Sequence, residues 1–394
     1  MRRSSLLAFW AVLIVSDCVT AQSPDIRGYY LNVSSWSDSS VFAVGGLGDI
    51  NRIRLMTESE LHDFKLQVAY EHVLSVSQRS GADPSGIFAG IGSGGSDWLP
   101  LQWTVEEADH LTWRHRFDRL NVSWAPGDAI EMAAGRLTAS WATTMFLTPA
   151  DPFLPFDPSD PFREYRAGVD AFRFQYFPGP LSDVDLIVRP TDHASGEALS
   201  VLARGRTVWH SWEVSTWFGM LYDEPAAAIG AAGGIGAVAV RGEVTLQESD
   251  GEMALRGTVG IDGRFVVWGR DLFYVVEYQR DGFGAGTSAE LLEVVQSDAF
   301  ARGQLQVLGR DECVLQGAYQ LHPLWGLTLL TITNLDDPSA LLSPGVSYSI
   351  SNEMSASGGL FFGFGDDTPS VESPLPSEYG LVPTFVYLSA TVFF

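Results

Sequence analysis

The last eight residues of the chain alternate strictly between apolar and small or polar side chains, and the chain ends on an aromatic residue. Successive side chains of a β-strand point to opposite faces, so the alternation divides this segment into two faces. One face carries Leu388, Ala390, Val392 and Phe394, and the other carries Tyr387, Ser389 and Thr391. An apolar face opposite a polar face suits a strand that separates lipid from a wet interior. The alternative interpretation is an edge strand of a soluble sandwich.

The other end of the chain predicts export. Residues 1–21 have the pattern of a secretory signal: two arginines, the apolar run Leu6–Val15, and small residues before a cleavage site. The apolar run is too short for a transmembrane helix, which takes about 20 residues. The expected mature chain is 22–394. It retains Cys313 as its only cysteine, so no intramolecular disulfide is expected.

The composition favours a membrane barrel over a soluble protein. The chain has 40 Gly, 23 Phe, 12 Trp and 12 Tyr, and only 18% of its residues are charged, against about 25% in a typical soluble domain. Lipid-facing strands, interfacial aromatic girdles and glycine-containing turns together explain this profile. The formal charge of −24 argues against a nucleic-acid partner, because phosphate binding needs clustered Lys and Arg.

No segment has the apolar length of a transmembrane helix. The nearest, Ala226–Val240, contains four glycines, each of which weakens a helix by about 1 kcal/mol relative to Ala. We interpret it as a tight turn between two strands. Without helices, only a closed barrel satisfies its backbone hydrogen bonds in lipid.

Many further segments alternate over about 8 to 13 residues, as Phe64–Glu71 and Trp212–Tyr222 do, and turn residues separate them. Short connections are expected at 125–128, 178–181, 261–264, 322–326 and 351–353, and long ones at 77–110, 139–167, 281–311 and 365–381. The predicted fold is an all-β transmembrane antiparallel β-barrel of about 16–18 strands, with short periplasmic turns and long extracellular loops. We count 18 strands; 16 is nearly as good a count because 27–37 and 198–209 are weak strands.

Three stretches resemble poorly characterised porin-like bacterial outer-membrane β-barrel proteins: Thr148–Pro158, Arg166–Arg173 and Tyr176–Ser182. Short matches at Glu277-Tyr278, Asn334–Asp337 and Ser377–Gly380 extend the resemblance. The terminal strand is similar to the closing strand of outer-membrane barrels, in which a final Phe is the assembly signal. The resemblance therefore implies a porin-like barrel and gives Phe394 that role. It carries no catalytic motif.

In such a barrel, function belongs to side chains on the inner wall and in a loop that narrows it. The alternation gives these pore-lining candidates: Arg52, Arg54, Lys65, Glu71, Arg114, Arg116, Glu131, Arg136, Arg173, Asp183, Asp185, Arg189, Arg241, Glu243 and Glu277. The proline-rich loop 139–167 supplies these constriction candidates: Asp151, Asp157, Asp160, Arg163 and Arg166. We expect this loop to fold inward; the alternative is an acidic outward loop that meets divalent cations and lipopolysaccharide.

The sequence predicts no enzyme, no cofactor and no metal site. Its seven histidines lack paired metal spacing. The glycine-rich stretch at 90–96 lacks the strand and helix context of a phosphate loop, and we expect a flexible outer loop there.

The expected function is a channel through which small polar solutes or ions diffuse passively. One alternative is a closed barrel with a structural, adhesive or assembly role, and another is a membrane-embedded lipid hydrolase. Expected partners are outer-membrane lipid, lipopolysaccharide and the barrel-assembly machinery, and the sequence leaves a homotrimer open. The acidic excess of 48 to 24 predicts a preference for cations at low ionic strength, unless the arginines line the narrowest point.

Overall fold

A computed structural model describes residues 25–40, 44–78, 97–153, 162, 165–193, 196–249 and 251–394. The predicted signal at 1–21 and the glycine-rich stretch at 90–96 lie outside these residues. No helix in the described ranges is long and apolar enough to cross a membrane.

The chain forms nineteen strands among the described residues. The first ten are β1 (Ile26–Ser37), β2 (Gly46–Leu61), β3 (Phe64–Ser77), β4 (Gln102–Ala108), β5 (Leu111–Gly127), β6 (Ile130–Leu137), β7 (Val169–Gly179), β8 (Ser182–His193), β9 (Gly196–Trp209) and β10 (Trp212–Leu221). The others are β11 (Glu224–Ile235), β12 (Val238–Ser249), β13 (Glu252–Val267), β14 (Arg270–Asp281), β15 (Asp311–His322), β16 (Trp325–Asn334), β17 (Ser339–Ser349), β18 (Met354–Phe364) and β19 (Phe385–Phe393). Short helices at Leu291–Gln296 and Asp298–Ala301 lie between β14 and β15.

The sheet closes on itself. Neighbouring strands pair antiparallel, and β19 pairs with β1 from Tyr29↔Phe393 to Ser37↔Phe385. Strand β4 is additional: it pairs with the start of β5, whereas β6 pairs with the end of β5. The closed ring therefore has 18 strands, and the higher of the two predicted counts is confirmed. The expected loop at 77–110 is corrected, because part of it is β4.

The outer surface is apolar, and the inner surface combines charged and polar residues with two apolar clusters that pack against the interior connections. In β8, Val184 and Leu186 are 45% and 37% exposed, while Asp183 and Asp185, which alternate with them, are buried. This arrangement is the reverse of a soluble sheet packed on a hydrophobic core, and it fits a strand with lipid outside and polar groups inside. It follows directly from the period-2 pattern of the sequence.

Tight turns join the strands at one end of the barrel, which is the periplasmic end by the usual asymmetry of such barrels. One is His210-Ser211, where both residues have positive φ (49° and 68°), as a two-residue hairpin turn requires. The expected turn at 261–264 was wrong: those residues lie inside β13, and the turn is Trp268-Gly269. The long connections follow β3, β6, β14 and β18 at the other end.

Strand β19 also gives a test of the predicted assembly signal. The Phe394 N–H donates to Gly28 O at 3.0 Å, and Gly28 N–H donates to Phe394 O at 2.7 Å. These backbone bonds survive a side-chain change, so Phe394→Ser isolates the aromatic ring. We expect the amount of inserted barrel to fall severalfold while synthesis is unchanged, measured as the fraction whose gel mobility shifts on heating. Phe364→Ser is the matched control, because Phe364 is similarly exposed (55% against 58%) at the opposite end. Equal losses in both variants would contradict a specific signal.

Candidate functional site

The connection between β6 and β7 comprises residues 138–168, and we call it the lumen loop. Its described residues, 138–153, 162 and 165–168, lie in the interior of the barrel. Near its start, Trp141 Nε1 donates to Asp185 Oδ2 on β8 at 3.1 Å. Near its end, the ring of Tyr165 stacks on Tyr29 of β1, with 6.2 Å between centroids. Because β8 and β1 are far apart around the ring, the loop must cross the lumen, as the inward interpretation expected.

One carboxylate on β12 holds the first turn of the lumen loop. Glu243 Oε2 accepts hydrogen bonds from Thr143 N at 2.7 Å and Thr144 N at 3.1 Å, and its Oε1 accepts one from Ala150 N at 3.0 Å. The side chain is 2% exposed. A buried carboxylate with three backbone donors is well compensated for its loss of hydration.

A second carboxylate, on β14, holds the following residues. Glu277 Oε1 accepts from Met145 N at 2.6 Å, and Oε2 accepts from Phe146 N and Leu147 N, both at 2.9 Å. Glu277 is also fully buried. Together the two glutamates satisfy six loop N–H groups and fix residues 143–150 against the β12–β14 wall.

Asp151, in the middle of the lumen loop, joins its two ends. Arg166 Nη1 lies 2.6 Å from Asp151 Oδ2, and the same oxygen accepts the Ser140 hydroxyl at 2.8 Å. Asp151 is 5% exposed. Asp151 and Arg166, two of the constriction candidates, therefore stabilise the shape of the loop. The other three, Asp157, Asp160 and Arg163, lie outside the described residues.

The opposite wall holds the end of the loop with arginines. Arg54 is 1% exposed, pairs with Glu71, and lies 2.6 Å from Asp118. Its guanidinium also sits 4.7 Å from the centre of the Tyr165 ring, and that of Arg119 sits 5.8 Å from it. Such cation–π contacts strengthen when they are desolvated.

A β-bulge makes this arginine clamp possible. The pairing of β3 with β5 shifts between Ala69 and Tyr70, so that Asp118 has no partner opposite it. Asp118 and its neighbour Arg119 consequently both face the lumen, which simple alternation forbids. Sequence reasoning missed both residues for this reason.

The register places the remaining predicted wall residues on the inner face, with one exception. Those on the inner face are Arg52, Arg54, Lys65, Glu71, Arg114, Arg116, Glu131, Arg173, Asp183, Asp185, Arg189, Arg241, Glu243 and Glu277. Several are held in place: Arg52 Nη1 donates to Phe162 O of the lumen loop at 3.1 Å, and Arg189 Nη1 to Phe153 O at 3.2 Å.

The exception is Arg136, which the sequence analysis placed on the inner wall. Its cross-strand partner is Leu120 on the outer face, because β6 continues the outward series of Ile130, Met132 and Ala134. The charge is tolerated there because the segment that precedes β4 covers the Arg136 side chain. Its guanidinium bonds Asp170 at 2.8 Å and the Leu99 carbonyl at 3.0 Å.

Asp97 lies 3.0 Å from the same guanidinium. Burial raises the pKa of Asp97 above its ordinary value, although Arg136 opposes the rise. Arg136 thus joins β6 and β7 to the segment that precedes β4, outside the lumen.

In the ion pairs of the inner wall, the arginine side chains are more exposed to the lumen than the carboxylates. In the pairs Arg173–Asp185, Arg206–Asp183 and Arg241–Asp262, the arginine side chains are 21%, 43% and 32% exposed, and the carboxylates 0%, 5% and 13%. Arg204 and Arg206 were missed because 198–209 reads as a weak strand. In the structure they lie on β9 opposite two inner-wall acids of β8: Arg206 is opposite Asp183, and Arg204 is opposite Asp185.

Within the described ranges, no group of three His, Cys, Asp or Glu residues is arranged to hold a metal ion. The arrangement offers hydrogen-bonding and charged walls around a fixed loop. It can orient polar solutes in transit.

Solved structures share this fold. OccAB1 of Acinetobacter baumannii superposes with a TM-score of 0.56 at 10% identity, over 94% of this chain and 96% of that one. A BenF-like porin from Pseudomonas fluorescens Pf-5 gives 0.57 at 10% identity, over 95% and 99%. The fold is that of a porin-like outer-membrane β-barrel. Its apolar outer face places the protein in the bacterial outer membrane.

A third similar structure is Wzi of Escherichia coli, described as a carbohydrate-binding β-barrel involved in group 1 capsule assembly. It superposes with a TM-score of 0.56 at 9% identity, over 94% of this chain and 84% of that one. No protein-family model matches the chain, and neither does any curated protein. These similarities concern the fold of the porin-like barrel.

Proposed function

We propose that the porin-like barrel is a channel for passive diffusion of small polar solutes or ions, with the lumen loop as its constriction. The observation that carries this proposal is the position of the described loop residues, which lie inside the barrel and are fixed to opposite walls. A loop held by Glu243 and Glu277 on one side and by Arg54 on the other keeps a constant shape. Constant shape at the narrowest point is what a size-selective pore requires.

We further propose that the channel prefers anions. Glu243, Glu277, Asp183 and Asp185 are buried in bonds to loop N–H groups or to arginines, whereas Arg173, Arg206 and Arg241 remain partly accessible. A permeating ion interacts most strongly with the accessible charges near its path. This reverses the preference expected from the net charge of the chain.

Planar-bilayer recording tests both proposals. We expect a stable conductance whose reversal potential in a salt gradient favours anions, with less preference near 1 M salt, where the Debye length is about 3 Å. Arg206→Gln combined with Arg241→Gln should shift the reversal potential toward cations. Arg280→Gln, which removes a charge from the outer face of β14, is the control and should leave it unchanged. A cation-selective parent would contradict the anion preference.

A closed barrel is the second candidate, and one observation favours it. Gln306, from the connection between β14 and β15, donates to Phe146 O at 2.6 Å and accepts from Thr148 N at 2.5 Å. A second long loop therefore packs on the lumen loop and fills more of the interior. Absence of conductance from folded protein would favour a structural or carbohydrate-binding role like that stated for Wzi.

We also propose that residues 1–21 direct export and that the barrel-assembly machinery inserts the mature chain. Outer-membrane lipid and lipopolysaccharide would then surround the apolar outer face. A homotrimer is a further proposal, and cross-linking in native membranes distinguishes it from a monomer.

A further inference from the structure

A cluster of acids lies at the extracellular end of β15, where two long connections meet: residues 282–310 before β15 and residues 365–384 before β19. Glu312 is buried in it, and Glu378 and Asp337 are half-buried. Glu312 is 0% exposed, and within the described chain neither of its carboxylate oxygens accepts a hydrogen bond of normal geometry. The Tyr379 hydroxyl beside it is likewise buried without such a bond. Buried polar groups are normally satisfied, so this cluster needs an explanation.

Glu378 fastens loop 365–384 to its surroundings. Its Oε1 accepts from Leu308 N at 2.7 Å, and its Oε2 accepts from Gly309 N at 2.9 Å and from Asn334 Nδ2 at 2.8 Å. The loop is thereby tied to connection 282–310 and to the end of β16. Glu378 is the central contact of this junction.

The strongest charge effects on Glu312 come from acids. Glu378 Oε2 accepts from Gly309 N and Asn334 Nδ2. Both of these residues lie against Glu312 Oε1, so the two carboxylates are neighbours. Asp337, from the turn between β16 and β17, adds a further negative charge. Asp337 is itself held close, because its Oδ2 accepts Glu378 N at 2.6 Å.

The arginines closest in sequence point elsewhere. Arg310 lies 3.4 Å from Glu290, and Arg280 pairs with Asp311 at 2.5 Å. Burial, followed by the nearby carboxylates of Glu312 and Glu378, raises the pKa of Tyr379 well above its ordinary value, so its hydroxyl stays neutral. No cation within the described chain therefore offsets the acids.

We propose that Glu312 and Glu378 share one proton and form a pH-dependent latch that holds loop 365–384 over the mouth of the barrel. A buried carboxylate that faces a second carboxylate does not ionise readily, and a proton between the two removes the repulsion. The inference rests on the fold and is independent of whether the barrel conducts.

The direction of the pH effect follows from linkage. The closed latch binds the proton more tightly than the open one, in which the two glutamates separate and become hydrated. The latch is therefore most stable at acid pH. It weakens as rising pH removes the proton from Glu312 in the closed latch, and its stability becomes constant once that proton is lost.

A spin label on the loop reports the latch directly. Val371 is fully exposed at the tip of loop 365–384, so Val371→Cys in a Cys313→Ser background accepts a label without disturbing packing. In detergent-solubilised barrel, we expect the mobile fraction of the spectrum to rise severalfold between pH 5 and pH 8. Glu312→Gln, a neutral isostere of the protonated acid, should keep the label immobile at every pH, and Glu378→Gln should also abolish the response.

Glu372→Gln is the matched control, because Glu372 is an exposed acid beside the label; it should titrate like the parent. Heat-dependent gel mobility verifies that each variant is folded. A parent spectrum that does not change with pH overturns the latch, and this result needs no variant. A response that persists in Glu312→Gln, or one that follows calcium and EDTA and not pH, overturns it as well.

Discussion

Replacing Glu243 and Glu277 together by alanine is expected to release the lumen loop and raise the conductance of the channel severalfold. The two carboxylates accept six backbone N–H bonds of residues 143–150, and buried bonds to a charged group are worth about 1.5–3 kcal/mol each. Without them the N–H groups gain water only if the loop leaves the wall. Single-channel recording measures the change, and heat-dependent gel mobility shows that the barrel persists.

Glu131→Ala is the matched control for this experiment. Glu131 faces the lumen from β6 and is partly exposed. Its removal changes the charge of the wall without freeing the loop, so conductance should change little. A double variant that conducts like the parent would show that residues 143–150 do not set the width of the pore.

Replacing Arg54 by methionine is expected to cost about 3–5 kcal/mol of stability, the usual effect of removing one partner from a buried ion pair. Asp118 then stays buried without the guanidinium at 2.6 Å, while Glu71 keeps Arg116. The contact with the Tyr165 ring is lost as well. Unfolding in urea, followed by gel mobility, measures the loss.

Two comparisons interpret that result. Arg206→Met also breaks an arginine–aspartate pair, but the arginine is 43% exposed, so we expect a loss below about 1 kcal/mol. Adding Asp118→Asn to Arg54→Met should recover part of the stability, because it removes a buried charge whose remaining ion-pair partner, Arg116, is 3.9 Å away. Equal losses for Arg54 and Arg206 would contradict a special role for the buried cluster.

Strand positions were largely predictable because one periodicity controls them. Lipid outside and polar groups inside impose alternation on every strand, and alternation is visible in a single sequence. The segment 27–37, predicted as a weak strand, forms β1 because of side-chain contacts that the sequence alone does not show. Its outward Asn32 and Ser34 break the apolar face, yet both bond Asp49 of β2, at 3.1 Å and 2.9 Å.

The site was predictable only to the level of which face a residue occupies. Alternation places Glu243 and Glu277 inside, but their burial depends on loop contacts about 100 and 130 residues away in sequence. Asp118 and Arg119 depend on a bulge that no local pattern marks. Arg136 was predicted on the inner face but lies on the outer face, where Leu99 and Asp97 contact its guanidinium; no strand pattern marks those contacts.

Strand β4 has a consequence for how such a lumen loop can exist at all. When β6 ends at Leu137 and the chain turns inward, the upper part of β5 loses its neighbour, and an unpaired edge in a membrane barrel exposes N–H and C=O groups that lipid cannot satisfy. Strand β4 pairs with this part of β5. Just before β4, the Leu99 carbonyl accepts from Arg136 and the Leu99 N–H donates to Asp170. After β6 the chain leaves the barrel wall, and β4, a segment of the connection between β3 and β5, takes its place beside β5. A shorter β3–β5 connection would therefore require a longer β6 and a smaller internal loop.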